Sequence, residues 1–151
     1  MALDDHIRIL SGVRLFKGLT QDQLRLLAFG AERMQLPADR KLFREDDDAD
    51  SAYVVLSGKI ILYREHDDER VVVGTAGPGS MLGEMALIAD ARRLTSAAAA
   101  GEAEVLRLSR SMFRRILEEY PETARDLHAR IVEDLQAMIR RIEELGPRFE
   151  S

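Results

Sequence analysis

At 151 residues with 46% apolar side chains, the chain is long enough to bury one core of its own and too short for two domains of ordinary size. It has no cysteine, which excludes a disulfide framework, a thiolate zinc site and a cysteine nucleophile. A formal charge of −5, with acids and bases interspersed, argues against nucleic-acid binding by this chain alone, because such binders need a surplus of cations to displace counterions from phosphates.

The first thirty residues read as helical. Leu15-Phe16-Lys17-Gly18-Leu19 leads into Thr20, an N-cap candidate, and a helix follows over Gln21 to Phe29. Leu24, Leu27 and Ala28 share one face of it, and Gly30 is a natural stop. From Glu32 to Leu108 the pattern changes to short β-rich runs. Ala52 to Leu56 and Ile60 to Tyr63 are strands joined by a tight turn at Ser57-Gly58-Lys59. Val71 to Val73, Thr95 to Ala100 and Val105 to Leu108 supply three more, with Gly77-Pro78-Gly79 as punctuation between them. Many short strands at close spacing predict a sandwich or barrel rather than a βαβ sheet.

Ser109 caps a short amphipathic helix marked by Met112, Phe113, Ile116 and Leu117. Pro121 then opens a longer helix that Gly146-Pro147 ends. Along it Ala124, Leu127, Ile131, Leu135, Met138, Ile142 and Leu145 fall in one stripe about 80° wide. The steps from Leu127 onward, 4, 4, 3, 4 and 3, approach a coiled-coil seam, so a homodimer through this helix is expected. There is no apolar run of membrane-spanning length, and the start Met1 to His6 lacks the basic and apolar regions of a signal peptide. No membrane partner is therefore expected, and a cytoplasmic location fits.

The most informative stretch runs from Pro78 to Ser96, with Gly83-Glu84-Met85-Ala86-Leu87-Ile88 followed by Arg92-Arg93-Leu94-Thr95-Ser96. With Leu15 to Leu19 and Ala52-Tyr53-Val54-Val55-Leu56-Ser57-Gly58, it resembles the cyclic-nucleotide-binding domains of bacterial catabolite activators and of cAMP-dependent kinase regulatory subunits, over roughly 15–117. That resemblance implies a mainly β fold with flanking helices, a double-stranded β-helix or jelly-roll-like β-roll. Its parts are an N-terminal helical segment at 1–31, the roll at 32–108 and C-terminal helices at 109–146, all one domain over 1–151. It also implies a cyclic-nucleotide site at Gly83, Glu84, Met85, Ala86, Leu87, Arg93, Leu94 and Thr95. Glu84 would accept the ribose 2′-hydroxyl proton, and the backbone N–H groups of Met85, Ala86 and Leu87 would face the phosphate. Arg93 would fork onto that phosphate, and Gly83 would permit the tight turn beside it.

Arg93 is preferred to Arg92 for this role because its spacing to Glu104-Val105-Leu106 fits the family better, Arg92 standing where a proline is usual. The resemblance departs from the pattern at Leu94, where a small or hydroxyl residue is usual, and at Glu45-Asp46-Asp47-Asp48, where the family commonly has Glu-Gly-Asp. On the last helix Met138 and Ile139 stand where catabolite activators carry two hydroxyl residues, so they become apolar base-capping candidates. The missing threonine at 94 leans towards cAMP, with cGMP possible as the ligand.

No catalytic role, metal or cofactor is expected. His6, His66 and His128 are far apart in sequence, and there is no serine elbow, Walker loop or paired catalytic carboxylate. The acidic run Glu45 to Asp50 lacks the spaced ligands and central glycine of a calcium loop and reads as a solvated turn. Three functions follow. The chain is a nucleotide-sensing regulator of an unspecified downstream protein, or the sensory part of a catabolite-activator-like transcription regulator, or a ligand-free dimerisation scaffold in which Glu84 and Arg93 merely pair. Since it ends at Ser151, no helix-turn-helix is expected within it.

Overall fold

The structure, a computed structural model, describes residues 2–144. Its helices are α1 (Ala2–Ser11), α2 (Gln21–Gly30), α3 (Arg110–Glu119) and α4 (Pro121–Glu144). Ten strands lie between α2 and α3: β1 (Glu32–Leu36), β2 (Lys41–Phe43), β3 (Asp48–Ala49), β4 (Ser51–Ser57), β5 (Ile60–His66), β6 (Glu69–Ala76), β7 (Met81–Leu82), β8 (Ala91–Arg92), β9 (Ser96–Ala99) and β10 (Ala103–Ser109). Short 3-10 turns cover Arg14–Phe16 and Glu84–Leu87.

The strands form two antiparallel sheets ordered β1-β10-β4-β7 and β2-β9-β5-β6, with a small β3-β8 pair beside them. Alternation along β4 and β10 explains why the roll carries helices on one side. Tyr53 and Val55, with Ala103 and Val105, enter the core between the two sheets. Ala52 and Val54, with Leu106 and Leu108, point the other way into a second core shared with the helices. Both faces of β4 are therefore buried, which is why it reads as an almost unbroken apolar run. The helix-side core closes with Leu10, Phe16, Leu27 and Phe113, the rings of Phe16 and Phe113 lying 6.4 Å apart.

Local signals place the elements. Thr20 and Gln23 form a reciprocal capping box, with Gln23 N donating to Thr20 Oγ1 at 3.2 Å and Thr20 N donating to Gln23 Oε1 at 2.9 Å. The same buried Gln23 donates to Thr123 Oγ1 at 3.2 Å, tying α2 to the start of α4. Gly58 turns the β4–β5 hairpin at φ 78°, and a Cβ there would lie 2.4 Å from the Glu102 carbonyl. Ser109 caps α3 by accepting from Met112 N at 3.3 Å.

The apolar stripe of α4 is divided. Leu127 and Ile131 are buried in the chain's own helix-side core, so the expected seam loses these two positions to intramolecular packing. Leu135 and Met138 face a cavity described below, while Leu145 and the Gly146-Pro147 stop lie outside the described residues.

Candidate functional site

The β7 strand ends at Gly83, which takes the left-handed conformation with φ 70° and ψ 31°. A side chain there would meet two obstacles: backbone strain and Arg93, whose Nη1 lies 2.3 Å from the position a Cβ would take. Glycine avoids both. The turn Glu84–Leu87 then runs along the edge of β4. After β8 the chain re-enters the roll at Arg93, held between Asp46 and Asp47. Arg93 N donates to the Asp47 carbonyl at 2.8 Å, and Asp46 N donates to the Arg93 carbonyl at 2.8 Å. The acidic run is thus more than a solvated turn. Asp46 takes φ 69°, the left-handed region that suits the glycine usual in the family, and aspartate is among the few residues that tolerate it.

The two arginines part company. Arg92 is exposed and donates to the Asp46 carbonyl at 3.1 Å. Arg93 is 6% exposed, with Nη2 donating to the Ser51 carbonyl at 2.9 Å. Its guanidinium carbon lies 4.3 Å from the centre of the Phe43 ring and 5.6 Å from that of Tyr53. Nε and Nη1 are buried with no hydrogen-bond partner. Buried donors almost always have partners, so two orphaned atoms on one guanidinium mark a place built for an acceptor from outside the chain. Burial pulls the Arg93 pKa down, against the fields of Tyr53, Asp50 and Asp47.

Among the described residues, Glu84 and Arg93 form no ion pair, so the structural salt bridge weighed for a ligand-free scaffold is absent. Glu84 instead lines the same cavity as Asp134 of α4, whose carboxylate acts on it electrostatically. Burial first, with the Asp134 carboxylate adding to it, pushes the Glu84 carboxyl up to about 7. A hydrogen bond from its own backbone N–H and the charge of Arg14 pull the other way.

A cavity of about 420 Å3, a size that suits a small ligand, brings together Gly83, Glu84, Met85, Ala86, Arg93, Leu94 and Thr95. Met138 and Ile139 reach the same cavity from α4. Leu87 is the exception: its side chain is buried in the helix-side core and anchors the turn from behind. Of the backbone donors expected from Met85, Ala86 and Leu87, one is already engaged within the turn. The turn is four residues of 3-10 helix, the Ala86 N–H already donates to the Gly83 carbonyl at 3.1 Å, and that of Glu84 turns to its own carboxyl. Arg93 is then the group of this cavity whose buried donors lack partners.

Phe43, Tyr53, Leu135 and Asp134 were not read as site residues: Tyr53 stood only in a strand motif, Leu135 only in the α4 stripe, and Asp134 as an acid four residues before Met138 on the same side of α4. Among the described residues no group of three or more His, Cys, Asp or Glu could hold a metal ion, and no helix is long and apolar enough to cross a membrane.

Known proteins are similar to this chain. The chain is 30% identical over 128 residues, 84% of its length, to the cyclic AMP receptor protein of Thermus thermophilus, and it spans 59% of that relative. A cyclic nucleotide-binding-like protein from Brucella abortus matches with TM-score 0.70 and 59% identity, over 76% of this chain and 99% of that one. The regulatory domain of Toxoplasma gondii PKA, solved with cAMP, matches with TM-score 0.71 and 30% identity, over 76% of this chain and 44% of that one. The family model of the cyclic nucleotide-binding domain matches residues 33–120, which include the Gly83 turn and Arg93. With that match across more than half its length, the chain belongs to the cyclic nucleotide-binding domain family.

Proposed function

We propose that the chain is a non-enzymatic, cytoplasmic sensing module over 1–151, which binds cAMP, and cGMP less tightly, in the Arg93 cavity. It signals to a downstream protein through movement of α4. The observation that carries this reading is the buried Arg93 with two unpartnered donor atoms, set in a largely apolar cavity crossed by a helix. A cyclic nucleotide offers one phosphodiester anion, one free ribose 2′-hydroxyl and one flat base. Arg93 takes the phosphodiester as a charge-assisted fork, with Gly83 leaving room beside it. Glu84 accepts from the 2′-hydroxyl. Met85, Ala86 and Thr95 line the wall, and the base lies between Leu94 and the α4 side chains Met138 and Ile139. Because Met138 and Ile139 sit on α4, ligand contact biases the position of that helix, a population shift driven by contacts available in one arrangement only.

Selectivity between bases needs polar groups that satisfy one edge and leave the other unpaired. Leu94, Met138 and Ile139 supply none, and methionine adapts to either ring system. We expect cAMP to bind more tightly than cGMP by no more than about tenfold, or 1.4 kcal/mol. Leu94→Thr will raise cGMP affinity and narrow or invert that gap. Competition against a fluorescent nucleotide reads both effects, and a thousandfold wild-type preference for either base would contradict the reading.

Homodimerisation through α4 belongs to the same proposal. With Leu127 and Ile131 already covered, the contact would draw on the remaining stripe positions Leu135, Met138, Ile142 and Leu145. Light scattering at tens of micromolar is expected to give the mass of a dimer, and a monomer there contradicts it.

A further inference from the structure

Arg93 is a buried cation held without a carboxylate among the described residues, its side chain donating from Nη2 to the Ser51 carbonyl. What stands beside the charge instead is aromatic. Phe43 comes from β2 in one sheet and Tyr53 from β4 in the other, and their rings stack with centres 5.9 Å apart and planes at 29°. The guanidinium carbon lies over both, at 4.3 Å from the Phe43 centre and 5.6 Å from that of Tyr53. Ser51 joins the group from below: it is fully buried, and its hydroxyl lies 3.4 Å from that of Tyr53. The backbone shows how Phe43 gets there. Leu42 and Phe43 are consecutive, so strict alternation would send one of them outward, yet both pack against the inter-sheet core. The register of β2 on β9 shifts between Lys41 and Phe43, and such an irregularity re-aims a side chain. We propose that Phe43, backed by Tyr53, is the positioning residue that keeps Arg93 charged and aimed at the Gly83 turn while leaving its donors unused.

The choice of partner matters because a guanidinium carries its N–H donors in its own plane. A carboxylate would neutralise the charge by taking those donors, and it would repel an incoming anion. A ring face attracts the cation through its quadrupole and accepts none of the in-plane N–H groups. Nε and Nη1 can then be buried, ordered and still free, which is the state the structure shows. Nη1 is the atom that lies against Gly83. A long side chain ordered before the ligand arrives also spares binding the entropy of ordering it. That the free donors await a phosphodiester rests on the nucleotide reading above. The aromatic support of Arg93 does not, since it is present in the chain alone.

Phe43 is half-buried, so Phe43→Leu keeps an apolar side chain in a tolerant place and removes the ring face. It is expected to weaken cAMP binding about five- to tenfold, and Phe43→Tyr, which keeps the face, to stay within about twofold of the wild type. Phe43 also lines the cavity, so a direct contact with the nucleotide must be told apart from an action through Arg93. On an Arg93→Ala background, Phe43→Leu will cost no further affinity. The same loss with and without Arg93 overturns the proposal, as does an equal loss in Phe43→Tyr. A second readout needs no nucleotide. In the proton–nitrogen correlation spectrum of the free chain, the Arg93 Nε–H is expected upfield of ordinary arginines, shifted by the ring currents and slow to exchange. It will be missing from Arg93→Ala, retained in Phe43→Tyr and returned to the ordinary position in Phe43→Leu. A wild-type signal already at the ordinary position, or one that Phe43→Leu leaves in place, overturns the aromatic support. A flat wild-type titration with cAMP beside an upfield Arg93 signal that Phe43→Leu removes would sink the proposed function and leave this positioning role standing.

Discussion

Arg93→Ala will weaken cyclic-nucleotide binding by about 2 kcal/mol or more, roughly thirtyfold, while leaving the domain folded. The variant brings the phosphodiester into a buried site with no cation to receive it, and an anion stranded there costs more than the lost contact alone. Folding stability should change far less. In the free chain Arg93 is a buried cation with no carboxylate partner, supported by one carbonyl and two aromatic rings. Removing such a charge also removes its desolvation penalty. Arg92→Ala is the control, because Arg92, though it also lines the cavity, is exposed and its guanidinium already donates to the Asp46 carbonyl. A loss of affinity below about threefold is expected from it by comparison with other exposed charges. Urea unfolding and fluorescent-nucleotide binding on the same preparations separate the two effects. Equal losses of affinity from the two arginines would contradict the assignment.

Ile131→Ala is expected to destabilise the domain by about 2–5 kcal/mol, the range for large-to-small changes in a packed core. Ile131 is 0% exposed within the single chain and belongs to the cluster that includes Phe16, Leu27 and Phe113. The loss must therefore be the same at low and high protein concentration. A residue that served only a seam between copies would behave otherwise, its cost growing as dimers form. Urea midpoints measured over a hundredfold range of concentration distinguish the two. A concentration-dependent loss would show that the inner half of α4 is shared between chains.

How legible this protein was depends on whether each signal is local. The capping box at Thr20, the Gly58 hairpin and the Ser109 cap are each written within a few residues, and each appears where the pattern put it. Ala97 to Ala99, within the strand read at Thr95 to Ala100, is a strand against its own propensity. Alanine favours helix, yet this segment is the strand between β2 and β5, where small side chains fit and the neighbours override propensity. The two-residue strands β3 and β8 carry no periodicity of their own and exist because the acidic run and Arg92 meet across the chain. Arg93 could be singled out because motif spacing marks it. The surroundings of Glu84 were harder to see, because Asp134, which lines the same cavity, stands fifty residues away on another element. The apolar stripe of α4 was visible, but what covers it was not. Periodicity states that a face is buried and is silent on whether the cover is core, cavity or second chain.

Calorimetric titration of the purified chain with cAMP tests the central claim most directly, namely that Arg93 and the Gly83 turn form a working cyclic-nucleotide site. The account predicts a saturable heat with one nucleotide bound per chain, competition by cGMP at somewhat higher concentration, and loss of that heat in Arg93→Ala. A flat titration with cAMP, cGMP and a cyclic dinucleotide alike, on a chain shown to be folded, would contradict it and leave the fold as a scaffold without this ligand.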